Sequence, residues 1–274
     1  MSKHWSTLGH ICILAALAAG SVMGAPTHLG PTGIVATPTA DVVPVGWYDL
    51  AVDYHQLEVG DEKIQNWPAR AVVGIANRAE LGIAYSLVNN RVDGRLLGVN
   101  GKIQLTREDP KMPAIAVGAS FSRISSDLED EIGFHDVTTL YASMSKTISG
   151  PYVDEAATAD TIQAFGRPTA RASWGLMYNI YGNDETVKRS KPYLGLEFNW
   201  GRGTILGLEY KAAEDDVLND KAISSVVFRR QFGPTLTAQL GVTNALGTFA
   251  SDEHGFFLGL CYRWGVAKEE VGYF

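Results

Sequence analysis

The stretch LGLEFNWGRGTILGLEY, residues 194–210, decides how this chain is read. Leu194, Leu196, Phe198 and Trp200 alternate with Gly195, Glu197 and Asn199; beyond a tight turn at Trp200–Gly203, Leu206, Leu208 and Tyr210 alternate with Gly207 and Glu209. Successive side chains of a strand point to opposite faces, so the stretch is a hairpin with one leucine and aromatic face and one face of glycines and carboxylates. A soluble sandwich or lipocalin-type barrel would turn its apolar face inward and keep charge outside. The small side chains here would leave such a core poorly filled. Turned inside out, the apolar face meets lipid and the small, charged face lines a lumen.

The same alternation recurs along the chain. Leu81, Ile83, Tyr85 and Leu87 interleave with Glu80, Gly82 and Ala84, and Leu97, Val99, Ile103 and Leu105 with Gly98, Asn100, Lys102 and Gln104. It returns around Ile115–Phe121, Trp174–Ile180, Leu236–Val242 and Phe256–Trp264, and more weakly from Tyr48, Arg70, Val137 and Ile223. This predicts an all-β fold, a single antiparallel up-and-down transmembrane barrel of about twelve strands, each near the ~9 to 11 residues a tilted strand needs to cross a bilayer. Tyr85, Tyr178, Trp200, Tyr210, Tyr262 and Trp264 suit interfacial girdles. Tight turns at Ala76–Arg78, Trp200–Gly203 and Phe232–Pro234 alternate with longer polar linkers near Gln56–Asn66, Arg123–Phe134, Gly182–Ser190, Lys211–Asp220 and Ala245–His254. That is the arrangement of short periplasmic turns and longer outer loops. Ile148–Thr169 breaks it and reads as a periplasmic insertion near 148–169.

Residues 1–24 read as a secretory signal peptide: Lys3, an apolar run from Ile11 to Ala19, then small residues, with cleavage expected after Gly24. The run is too short to span a bilayer as a helix, and no lipobox precedes Cys12. The exported chain keeps Cys261 as its one cysteine. The formal charge of -7, from 23 Lys+Arg against 30 Asp+Glu, argues against nucleic acid as a partner. Outer-membrane lipid is the partner the pattern implies. Residues 46–274 form the barrel, ahead of which 25–45 is rich in Pro, Gly and Thr. Pro31, Pro38 and Pro44 deny that segment regular pairing, so it serves either as a plug in the lumen or as a periplasmic lead-in. Tyr273 and Phe274 resemble the aromatic ending recognised by barrel-assembly machinery.

Gly30, Thr32, Gly33, Ile34, Thr37, Pro38, Thr39 and Ala40, followed by Gly46 and the first strand, resemble the opening motif of the YjbH-like outer-membrane proteins associated with exopolysaccharide production. The resemblance implies a β-barrel outer-membrane protein with a non-enzymatic role in envelope assembly or exopolysaccharide export. It also implies polysaccharide or export-complex proteins as partners. Many members of that family are much longer, so this chain would represent a single barrel.

Motifs for catalysis, metals or cofactors are lacking. His28, His55, His135 and His254 have no short metal-ligand spacing, and three of them lie in or beside expected outer loops, so solvated loop histidines are the reading rather than a site. The acidic run from Ser126 to Glu131 lacks the mid-loop glycine of a calcium loop, and Gly201, Gly203 and Gly207 punctuate a hairpin rather than cradle a phosphate. The informative polar set is the inward face, where Asp49, Asp53, Glu80, Glu197 and Glu209 share the lumen with Arg70, Lys102, Arg229 and Arg263. Mixed charges there either pair across strands and brace the barrel or line a path for polar solute. A narrow passive pore and an outer-membrane lipid-modifying enzyme are the alternative functions.

Overall fold

The computed structural model describes residues 25–28, 30–59, 62–89, 94–125, 135–149, 169–182, 187–200, 203–213, 222–233, 235–246 and 249–265. The expected signal, the insertion between residues 150 and 168 and the aromatic ending at Phe274 lie outside them. Two short strands, β1 (Ala25–Pro26) and β2 (Thr32–Gly33), pair with each other. The barrel follows as β3 (Trp47–Val59), β4 (Glu62–Ala76), β5 (Ala79–Asn89), β6 (Gly94–Thr106), β7 (Ala114–Ser125) and β8 (Asp136–Ser149). It is completed by β9 (Thr169–Gly182), β10 (Val187–Asn199), β11 (Thr204–Lys211), β12 (Ile223–Phe232), β13 (Leu236–Leu246) and β14 (Phe249–Gly265). Each of these strands pairs antiparallel with its sequence neighbours, and β14 closes on β3 from Phe256↔Gln56 to Gly265↔Trp47. The fold is the closed twelve-strand up-and-down barrel that the alternation predicts.

Alternation also settles which face is which. On β3, Val52 is 53% exposed while Asp53 is 1% exposed; on β14, Leu260 is 56% exposed and Cys261 5%. Leucines, valines and isoleucines therefore cover the outside, and the polar residues are the buried ones. Aromatic rings gather at two levels. Toward the turn end Tyr48 stacks on Trp264, with ring centroids 5.1 Å apart, and Tyr262 lies 6.0 Å from Trp264. Toward the loop end Tyr54 packs against Trp67 and Phe256 at 4.6 and 6.0 Å. Phe256 and Trp264 mark the two belts on β14. At about 3.4 Å per residue and a tilt near ~40°, they stand roughly 20 Å apart along the membrane normal, close to the ~25 Å apolar band of such barrels.

Three expected linkers are mostly strand. β3 and β4 run on through Gln56↔Gln65 and Leu57↔Ile64 to Val59↔Glu62, β10 begins at Val187 opposite Tyr181, and β13 and β14 extend to Leu246↔Phe249. Toward the loop end the apolar residues change faces, with Leu57, Ile124, Val137 and Ile223 buried inward, so the lipid-facing pattern breaks while the backbone pairing persists. Arg123–Phe134 and Lys211–Asp220 do separate strands, since β7 ends at Ser125 and β11 at Lys211.

An arginine facing the bilayer midplane costs about 2 to 4 kcal/mol, and about 0 to 1 near the interfaces. Leu260→Arg, midway between the belts, is expected to destabilise folding into lipid vesicles by the larger amount, and Phe232→Arg, at the turn-end belt, by the smaller. Refolding equilibria in vesicles measure both, and equal effects would contradict the lipid-facing assignment.

Candidate functional site

The segment ahead of β3 lies inside the barrel. Pro31, Pro38 and Pro44 have no amide to give a ladder, so this stretch folds on itself. Thr27 N donates to Pro31 O (2.7 Å), His28 N to Val35 O (2.8 Å), Ile34 N to Thr37 O (3.0 Å) and Thr39 N to Thr32 O (3.1 Å). Gly30 takes φ +105° with the Asn100 side chain against its α-carbon, a conformation and a clearance that only glycine supplies. Thr32, Thr37, Thr39 and Ala40 are all at most 1% exposed, and Gly30, Gly33 and Pro38 are buried beside them. Of the two readings of residues 25–45, plug or periplasmic lead-in, the structure places the segment in the lumen. It joins the wall where Gly46 N donates to Gly74 O (3.1 Å).

Two carboxylates seat this plug. Glu209 on β11 accepts the successive amides of Val35, Ala36 and Thr37 at 3.0 to 3.1 Å, the Thr37 hydroxyl at 2.8 Å and the Ser225 hydroxyl at 2.7 Å. Consecutive amides converging on one anion form a backbone nest, here clasping a wall side chain. Glu80 on β5 accepts from Thr32 N (2.9 Å), Thr32 Oγ1 (2.7 Å) and Val43 N (2.8 Å). Lys102 lies 3.0 Å from Glu80 and donates to Thr32 O and Thr39 O at 2.9 and 3.3 Å. Because β5 and β11 stand half a turn apart in the ring, the two anchors hold the plug from opposite walls. Between them Arg229 donates to the carbonyls of Gly33 and Ile34, Ser145 Oγ accepts from Ala40 N (3.0 Å), and Gln104 Nε2 donates to Ala40 O (2.9 Å). Ile34 fits where the wall has no side chain: a Cβ on Gly195 would collide with its Cδ1 methyl, and one on Gly207 would stand 3.0 Å from its Cγ2.

All nine charged residues expected on the inner face point into the lumen. Asp53 meets Arg70 and Asp49 meets Arg263, each at 2.5 Å; Arg229 lies 3.2 Å from Glu197; Glu80 pairs with Lys102; and Glu209 takes the plug. Sequence reading missed Arg171, which pairs with Asp41 of the plug and lies 3.6 Å from Glu108. Its signal was present: extending the inward phase of Ser173 by two residues reaches Arg171. Burial pushes the Asp41 carboxyl up, but Arg171 more than offsets it, so the group sits below the usual carboxylate range.

Two histidines correct the solvated-loop reading. His135 and His254 are exposed, but His28 and His55 are buried in the lumen with ring centroids 4.1 Å apart, and His55 Nε2 lies 3.6 Å from Asp53 Oδ2. β3 extends past Gln56, so His55 is an inward strand position, and the plug carries His28 to it. Neither ring nitrogen of either histidine has a hydrogen-bond partner among the described residues, an arrangement that costs about 1 to 3 kcal/mol per orphaned group. Burial holds His28 well below its ordinary pKa, with His55 and Arg70 acting in the same sense and Asp53 against it.

No protein-family model and no curated protein matches the sequence. Among solved structures, the chain resembles the KdgM porin in complex with disordered oligogalacturonate, with a TM-score of 0.52 and 12% identity over 77% of this chain and 98% of that one. A second KdgM porin structure gives 0.50 with the same identity and coverage. The outer membrane protein Omp33 of Acinetobacter baumannii gives 0.45 at 10% identity, covering 79% of this chain and 97% of that one. These are likenesses of fold, and the fold is that of an outer-membrane β-barrel.

Hydrogen bonds to a charged group are worth about 1.5 to 3 kcal/mol each. Glu209→Gln is therefore expected to speed amide hydrogen exchange at Val35, Ala36 and Thr37 by roughly 10- to 100-fold, leaving strand amides of β3 to β6 unchanged. Unaltered exchange at those three amides would show that the plug is seated by something else.

Proposed function

We propose that this chain is a closed outer-membrane barrel with a non-enzymatic role in envelope assembly or exopolysaccharide export, as its resemblance to the YjbH-like proteins implies. The observation that carries the closed state is the plug: residues 30–43 are almost wholly buried inside the ring and bonded to opposite walls. Ile34, Thr37 and Ala40 stand in the bore itself, each at most 2% exposed.

The passive pore is the second reading, and a specific feature favours it. Besides apolar contacts of Ile34, Val35, Ala36 and Ala40 with the wall, the plug is held by hydrogen bonds and ion pairs, which water can replace when the segment leaves. Among the described residues, the wall it would uncover carries Arg70, Lys102, Arg171, Lys191, Lys211, Arg229 and Arg263 against Asp49, Asp53, Glu80, Glu108, Glu197 and Glu209. That basic excess suits an acidic saccharide, and the KdgM porin, alike in fold, was solved with an oligogalacturonate.

Planar-bilayer recording separates the two. The intact mature protein is expected to stay closed, while a variant lacking residues 25–42 opens steady channels, heat-modifiable migration verifying that the barrel has formed. In cells, deletion of the gene is expected to lower secreted polysaccharide without changing uptake of small polar solutes. Steady conductance by the intact protein, together with unchanged polysaccharide, would favour the pore.

A further inference from the structure

His28, Asp53 and His55 form a cluster that the plugged-barrel reading leaves unused. The nitrogen or carboxylate oxygen that each offers lies within 4.8 Å of the others, and all three residues are buried. Tetrahedral zinc with ligand bonds near 2.0 to 2.1 Å needs ligand atoms about 3.3 Å apart, a closure that small rotations of the two imidazoles supply. His55 Nε2 is already 3.6 Å from Asp53 Oδ2. Four ring nitrogens without hydrogen-bond partners among the described residues are the second, independent sign: the fold buries two imidazoles face to edge and leaves their nitrogens unused. Phe257 closes the site on one side, 5.9 Å from His28 and 5.3 Å from His55. Gln239 Nε2 donates to Asp53 Oδ1 at 2.9 Å, the outer-shell contact that orients a ligating carboxylate.

The geometry points to a divalent transition-metal site of the zinc class, built from His28 of the plug with Asp53 and His55 of β3, that latches the plug to the barrel wall. Two imidazoles beside a single carboxylate suit zinc, nickel or copper rather than calcium or magnesium. Three protein ligands leave a fourth position for water. Arg70, 2.5 Å from Asp53 Oδ2, neutralises the carboxylate in the metal-free protein and would share that oxygen with the ion. Its positive charge opposes the dication and lowers the affinity of the site. The inference uses the plug but not its biological role.

The test uses tag-free, full-length mature protein refolded in detergent, stripped with chelator and titrated with zinc chloride by calorimetry, with metal content read after gel filtration. About one zinc per chain is expected, with His28→Ala and His55→Ala each weakening binding by about tenfold or more and His254→Ala leaving it unchanged. Zinc should also slow protease cleavage within residues 25–43 of the parent and not of His28→Ala. If His28→Ala loses heat-modifiable migration, His28→Gln replaces it with the same expectations. No bound zinc, parent-like binding by the His28 variant, or binding that leaves the plug as cleavable as before would each overturn the site. Conductance of the intact protein is a separate reading, so a missing metal and an open barrel are told apart.

Discussion

Hydrocarbon offers no partner to a backbone amide or carbonyl, and this molecule follows from that constraint. A sheet in lipid must satisfy every main-chain group internally, so it closes on itself, as β14 does on β3. Closure turns the ordinary logic of a protein inside out: most leucines and valines face outward, and the interior takes in Asp, Glu, Lys and Arg beside small residues and a few large ones such as Phe257 and Met177. Twelve strands around a wall with glycine at positions such as 195 and 207 leave a bore that wall side chains alone do not fill. The chain fills it with its own first folded segment.

That interior is buried yet charged, a combination stable only when the charges are matched. Matching is done locally along the wall, by pairs such as Asp53 with Arg70 and Asp49 with Arg263, and across the bore, where Glu80 and Glu209 are satisfied by plug amides. Arg229 links the two systems, touching Glu197 on the wall and the Gly33 carbonyl of the plug. Plug and wall thus share one electrostatic network, and a change at any of these residues is felt on both sides of it.

Much of this was legible in the sequence, because alternation is a local signal. Strand number, the lipid-facing leucines and the inward set from Asp49 to Arg263 all follow from period two. The strand extensions at Gln56, Val187 and Ala245 were hidden, since the outward run of apolar residues stops there and residues such as Leu57 and Ala245 turn inward instead. The anchoring was hidden for another reason: Val35 and Glu209 are 174 residues apart, and no local pattern connects a Thr- and Pro-rich segment to one glutamate among many. His55 was assigned to a loop for the first reason and separated from His28 for the second.

The plug precedes every strand that holds it. Its Thr32 seat lies on β5, in the early half of the strand order, and the nest over Glu209 on β11, in the late half. Neither half of the wall alone offers both anchors. The segment is therefore a tie across the ring as well as a filling: it joins two walls that share no ladder, and its span is matched to the width of the bore.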